Sequence, residues 1–222
     1  MINWQAFFNV ELAQKALPII LEGLPYTLSL SLISFLLANI FGFIIALMKM
    51  STFTPLRWIA NIHISLMRGT PLMVLLFLIY FGLPFMKIQF DAITASIIAF
   101  TMMSSAYTSE IIRAALLSID KGQWDASYSL GLNTWQIFKK VIVPQAIRIC
   151  VPSLSNVLLD MVKGTSLTAM ITVPDIFNKA KIVGGANSDY MTAYIVVALV
   201  YWVICTSYAI GQNYLEKRFS IY

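Results

Sequence analysis

The stretch Tyr26–Met48, YTLSLSLISFLLANIFGFIIALM, runs for 23 residues without a charged side chain. As a helix rising about 1.5 Å per residue it would reach roughly 35 Å, enough to cross a hydrocarbon core of about 30 Å. The whole chain has the same character: of 222 residues, 59% are hydrophobic and 11% charged, whereas a soluble domain carries about 25% charged residues. The bilayer is therefore the expected solvent, and the expected fold is an all-α, polytopic membrane protein.

Four more apolar segments follow. Trp58–Pro84 is interrupted by Arg68-Gly69-Thr70-Pro71, Ala92 to about Ile112 comes next, the segment between Ala146 and Val162 is the most polar, and Tyr190–Ile210 is uncharged with aromatics near both ends. Aromatic ends suit the membrane interfaces. About five spans are expected, at residues 20–48, 57–84, 91–113, 145–163 and 189–213, in a single domain over 1–222 with a loop at 119–144. The N-terminus lacks the pattern of a secretory signal, since its only early basic residue is Lys15; it can form an amphipathic surface helix instead. Cys150 and Cys205 lie in apolar stretches and read as small hydrophobes rather than a disulfide or metal pair. A single histidine, His63, excludes a histidine-based metal cluster.

The formal charge of +5 fits membrane orientation better than nucleic acid. With the N-terminus outside, the cytoplasmic basic residues are Lys49, Arg57, Arg113, Lys121, Lys139, Lys140, Arg148, Lys217 and Arg218. The external ones are Lys15, Lys87, Lys179 and Lys181, while Arg68 and Lys163 fall within or near spans. Nine against four favours the N-terminus outside and the C-terminus in the cytoplasm.

One polar insert, Gly122–Pro144, GQWDASYSLGLNTWQIFKKVIVP, stands out. It reads as two short helices. Gly131 allows a stop or a close backbone approach, Asn133 or Thr134 can cap the second helix, and Trp135, Phe138 and Ile142 form one apolar face. Pro144 ends the pattern. On these grounds alone an ordinary amphipathic interfacial loop is an equal reading.

The insert resembles the cytoplasmic signature loop of binding-protein-dependent ABC importer permeases: Glu-Ala-Ala, three residues, Gly, nine residues, Ile-x-Leu-Pro. The matching positions are Asp125-Ala126-Ser127, Gly131, Val141, Val143 and Pro144, with the spacing kept. Asp replaces Glu, Ser the second Ala, and Val both Ile and Leu. Arg68-Gly69-Thr70-Pro71-Leu72, Phe77 to Pro84, and Ala106-Tyr107-Thr108-Ser109-Glu110-Ile111-Ile112-Arg113 leading into Gly122-Gln123 resemble permeases for polar amino acids. Gly164-Thr165-Ser166-Leu167 adds a weaker match.

The resemblance implies a type I ABC importer fold in a bacterial cytoplasmic membrane. It implies ATPase subunits as separate chains, a second permease subunit, identical or different, and an extracytoplasmic substrate-binding protein. No Gly-x4-Gly-Lys-Ser/Thr stretch is present, so this chain is expected to bind no cofactor, with ATP and Mg held by the partner. The implied ATPase-coupling residues are Gln123, Asp125, Ala126, Ser127, Gly131 and Pro144. The implied substrate is a polar amino acid, with cystine or another zwitterion favoured.

Polar groups at membrane depth mark candidate substrate contacts, because they are costly there. In the fourth span Ser153, Asn156, Asp160 and Lys163 recur at three, four and three residues, one helical stripe. Asn156 and Asp160 could hold a substrate amino group. A helix interface, with Asp160 and Lys163 neutralising each other and Asn156 bonding across helices, is the competing reading. Arg68 complements a substrate carboxylate through its fork, or else snorkels to the headgroups. Thr70 beside it, and Ser104 and Tyr107 on the third span, complete the candidate set, although polar packing and ordinary core burial are open for the last two. Glu110 and Arg113 form an expected i,i+3 ion pair. Thr172–Asp189 is either a docking surface for the binding protein or a plain connector. An ATP-independent secondary transporter or channel is the alternative function, and a non-transporting scaffold a further one.

Overall fold

A computed structural model describes residues 7–219, with side chains as far as Tyr214, and no strand occurs among them. Lys217 and Arg218, counted above in the charge balance, lie outside the described side chains. The order is α1 (Val10–Leu21), α2 (Leu24–Met50), α3 (Thr54–Gly69), α4 (Leu72–Phe77), α5 (Ala92–Leu117), α6 (Lys121–Ser129), α7 (Thr134–Ile137), α8 (Val143–Gly164), α9 (Ile176–Asn187) and α10 (Tyr190–Phe219). A π-helical turn at Leu78–Gly82 and a 3-10 turn at Leu83–Met86 extend α4, a π-helical turn at Phe138–Ile142 joins α7 to α8, and a 3-10 stretch at Thr165–Ile171 follows α8.

The α2 helix, the run Thr134–Ile171 and the run Tyr190–Tyr214 are long and apolar enough to cross a membrane. The pair α3 and α4 makes a fourth span if counted as one, with a 105° bend at the break. The cause is local. Pro71 disfavours helical geometry in the residue before it, and Thr70 is extended, with φ −107° and ψ 132°. The fifth expected span is α5, 26 residues long but too polar to pass on apolarity. Its Ser96, Thr101, Ser104, Ser105, Thr108 and Ser109 are buried. Several bond to the preceding turn, as Ser96 Oγ does to Ala92 O at 2.7 Å and Ser109 Oγ to Ala106 O at 2.8 Å, a back-bond open to hydroxyls inside helices.

Contacts divide the chain into two units. One comprises the residues up to Ser34, Leu72–Phe100 and Leu159–Ile210. Its core sets Leu12, Ala16 and Ile20 of α1 among Ile176, Ala180 and Val183 of α9 and Ala193, Val196, Val197 and Val200 of α10. The spacing of four along α1 is one helical face, so the amphipathic N-terminal helix exists and lies packed. The stretch Thr172–Asp189 contains α9 rather than a bare loop, and Asp175 caps it by accepting from Asn178 N at 2.8 Å. Burial pushes the Asp175 carboxyl up to about 7, and its Oδ2 has no hydrogen-bond partner.

The other unit comprises Phe35–Pro71, Thr101–Leu158 and the residues from Gly211. Ala46, Ile112, Ala115, Leu116, Ile119, Ile137, Ile142, Ala146 and Cys150 form its core. A Cβ on Gly42 would fall 2.0 Å from Thr108 Oγ1, and that hydroxyl donates to Ala38 O at 2.8 Å. Glycine thus permits α2 and α5 to touch. Cys150 is buried, Cys205 is half-buried, and both are free thiols.

Candidate functional site

The α6–α7 module is built by its caps. Asp120 accepts from Gly122 N at 2.7 Å to open α6. At the far end Gly131 N bonds to Tyr128 O at 2.9 Å and Leu132 N to Ser127 O at 3.3 Å, the paired bonds of a Schellman stop. Gly131 has φ +77° and open space where a Cβ would stand. Within this chain its role is therefore conformational. Asn133 opens α7 with a capping box, since Gln136 N donates to Asn133 Oδ1 at 2.9 Å and Asn133 N to Gln136 Oε1 at 3.0 Å.

The buried face of α7 and its π-helical extension is made by Ile137 and Ile142, 0% and 1% exposed, while Trp135 stands 68% exposed. Trp135 stacks on Phe138, ring centroids 6.3 Å apart, so these two share a face as expected, while the wider i,i+5 turn at Phe138–Ile142 carries Ile142 into the core instead. Ser127 is buried, its Oγ donating to Gln123 O at 2.6 Å, so within this chain it braces α6. Gln123, Asp125, Ala126 and Pro144 are exposed. Leu130 at 81%, Trp135 at 68% and Tyr128 at 49% are the exposed large apolar side chains of the same module. Gln145 Nε2 on α8 donates to Gln123 Oε1 at 3.1 Å, which fastens α6 to the start of α8.

On α8, Ser153, Asn156, Asp160 and Lys163 are all exposed, in one line. Asp160 and Lys163 pair at 2.8 Å while both remain more than half exposed. Asn156 Oδ1 accepts from Gln212 Nε2 on α10 at 3.3 Å. Both bonds of the interface reading are thus present, yet the stripe remains open on its outer side.

Arg68, in the last turn of α3, lies over the ring of Tyr107 with its guanidinium carbon 5.6 Å from the centroid, within cation–π range. Both residues are exposed, and Thr70 is half-buried at the break. Ser104 is 7% exposed; it faces the packed side of α5 and does not join this pair. His63 is turned to Ser105 at 3.0 Å. Glu110 forms the expected bond to Arg113 at 2.9 Å and one to Lys49 at 2.7 Å, 61 residues away. Spacing along one helix revealed the first partner. Lys49, Gln145 and Gln212 come from other segments and left no local signal.

A family model described as "Binding-protein-dependent transport system inner membrane component" matches residues 38–221. The chain belongs to this family. The permease is 48% identical over 221 residues to the probable amino-acid ABC transporter permease protein YckA of Bacillus subtilis (strain 168), covering 100% of this chain and 98% of the relative. It is 40% identical to the L-cystine transport system permease protein TcyB of the same organism, covering 94% of this chain and 90% of the relative. Among solved structures it matches a crystal structure of an amino acid ABC transporter with histidines, at a TM-score of 0.85 and 36% identity, covering 90% of this chain and 94% of that one. The permease is thus an amino-acid ABC transporter component and a multi-pass membrane protein. Permeases of this family are not enzymes; ATP hydrolysis belongs to a separate subunit. The ATP-independent alternative falls with that assignment.

Proposed function

We propose that the permease carries cystine or another zwitterionic amino acid along the exposed polar stripe of α8, with Arg68 holding the substrate carboxylate. The observation that carries this reading is the exposure of Asn156, Asp160 and Lys163 on a membrane-spanning helix. Such groups are costly against lipid and ordinarily face a partner or a water-filled path. Arg68, stacked on Tyr107 and beside the helix break, offers the bidentate fork that suits a carboxylate. The 40% identity to a cystine permease supports the choice of cystine.

On the opposite side of the membrane from a docked binding protein, α6 would seat on an ATPase subunit through Gln123, Asp125 and Ala126, with the exposed Tyr128, Leu130 and Trp135 of the same module. Basic-residue counts support the N-terminus outside and the module in the cytoplasm. The Gln123–Gln145 bond would transmit ATPase closure to α8 as movement of a rigid element. ATP and Mg would stay on the partner, and a second permease chain would complete the path.

The test uses permease, ATPase and binding protein reconstituted in liposomes. Asp160→Asn combined with Asn156→Ala is expected to lower ATP-driven cystine uptake and the substrate stimulation of ATP hydrolysis together. If both survive at the unsubstituted level, the stripe is packing.

A further inference from the structure

The open side of α3 carries a second polar stripe, of which the proposed site uses only Arg68. From Thr54 to Gly69 this helix buries Ala60, Ile64 and Met67, and His63 is engaged by Ser105. On the other side Asn61, Ser65 and Arg68 are all exposed, at spacings of four and three, which stacks them in one line. Trp58, Ile62 and Leu66 flank that line at 67%, 52% and 57% exposure. With Asn61 and Ser65 they line an open groove of about 320 Å³.

An amide, a hydroxyl and a guanidinium can all donate hydrogen bonds, and α3 contains no aspartate or glutamate to answer them. Seven residues of helix separate Asn61 from Arg68, roughly 10 Å along the axis. Next to the apolar groups that flank it, this row is a poor match for hydrocarbon and a good one for a carboxylate passing from donor to donor.

We propose that Asn61 and Ser65 extend the Arg68 site into a carboxylate track along α3, and so contact the substrate after or before Arg68 on its way through. The proposal rests on the reading of Arg68 as the carboxylate ligand.

The experiment uses the reconstituted transporter with its ATPase and binding protein. Single cysteines replace Asn61, Ser65 and, as an exposed apolar position of α3 outside the groove, Ile59, and reaction with a charged thiol reagent is timed against the background from Cys150 and Cys205. Asn61→Cys and Ser65→Cys are expected to react at least severalfold faster than Ile59→Cys. L-cystathionine, a cystine analogue without a disulfide, is expected to slow that reaction. Asn61→Leu and Ser65→Ala, with ATPase pull-down intact, are expected to lower cystine uptake roughly tenfold each, the effect of one lost hydrogen bond to a charged group.

Equal labelling at the three positions overturns the track. So does selective labelling that the analogue leaves unchanged while both polar-to-apolar variants import normally; α3 would then be an interfacial helix with its polar side in water. Cross-linking between permease copies through Asn61→Cys, without labelling, overturns it in favour of a subunit interface. Failure of the underlying reading is visible separately, as undiminished uptake by Arg68→Ala.

Discussion

Lys49 Nζ at the end of α2 lies 2.7 Å from Glu110 Oε1 on α5, and Arg113 Nη2 holds the other carboxylate oxygen at 2.9 Å. One carboxylate therefore neutralises two cations whose side chains are about a quarter to a third exposed. Removing its charge leaves two like charges with no common partner. Glu110→Gln is expected to destabilise the permease by about 1 to 2 kcal/mol, a range discounted for partial exposure. A lower unfolding temperature in detergent is the readout, and Lys49→Met added to Glu110→Gln is expected to recover part of the loss. An unchanged midpoint for Glu110→Gln counts against the triad.

The Gly42–Thr108 contact makes a second prediction. A methyl at residue 42 would overlap Thr108 Oγ1 at 2.0 Å, and overpacking of this kind costs about 1 to 3 kcal/mol. Gly42→Ala is expected to be clearly destabilised. Thr108→Ala removes the clashing oxygen, so the double variant is expected to be more stable than the sum of the single effects implies. Strict additivity in thermal unfolding would show that the two positions do not touch.

Asp175 sets a pH dependence. Burial raises its carboxyl to about 7, and the charge of Lys181 offsets only part of that rise. An unfolded aspartate titrates near 3.9, so between roughly pH 4 and 7 the folded state binds more protons than the unfolded one. Stability from this group is full below pH 4 and is lost as pH rises through 7, by at most about 4 kcal/mol. Asp175→Asn keeps a side chain that can cap α9 and removes the ionisation. It is expected to unfold at higher temperature than the unsubstituted permease at pH 8, with a flatter profile from pH 4 to 7. Parallel profiles for the two proteins would refute the shift.

Gly131 ends α6 at φ +77°, where a side chain costs about 1 to 2 kcal/mol of backbone strain. Gly131→Arg also places a cation beside the exposed Leu130 and Trp135. Co-purification of a tagged ATPase is expected to fall strongly with Gly131→Arg and with Leu130→Glu, while Ser127→Ala, at a buried position, is expected to retain it. An ATPase that stays bound to both of the first two variants removes α6 from the docking surface.

Much of this molecule was legible along the chain. The uncharged run now seen as α2, the caps at Asn133 and Gly131, the Pro71 break, the α8 stripe and the Glu110–Arg113 pair all follow from spacing within one segment. Spacing says which residues share a face but not what that face meets. Ser104 and Ser127 were polar and well placed, yet both faces turned inward. Lys49, Gln145 and Gln212 find their partners across 22 to 61 residues of chain, where no local period reaches. The expected Trp135–Phe138–Ile142 face is split: Trp135 stacks on Phe138, and Ile142 is buried because the helix changes pitch between Phe138 and Ile142.

The most direct test of the central claim is ATP-driven uptake of labelled cystine by the reconstituted transporter carrying Arg68→Lys or Arg68→Ala. Loss of a bidentate carboxylate contact is expected to reduce uptake roughly tenfold to a hundredfold in Arg68→Ala, and Arg68→Lys is expected to fall between it and the unsubstituted protein, with ATPase binding intact in both. Undiminished cystine uptake by Arg68→Ala would contradict a carboxylate site at Arg68.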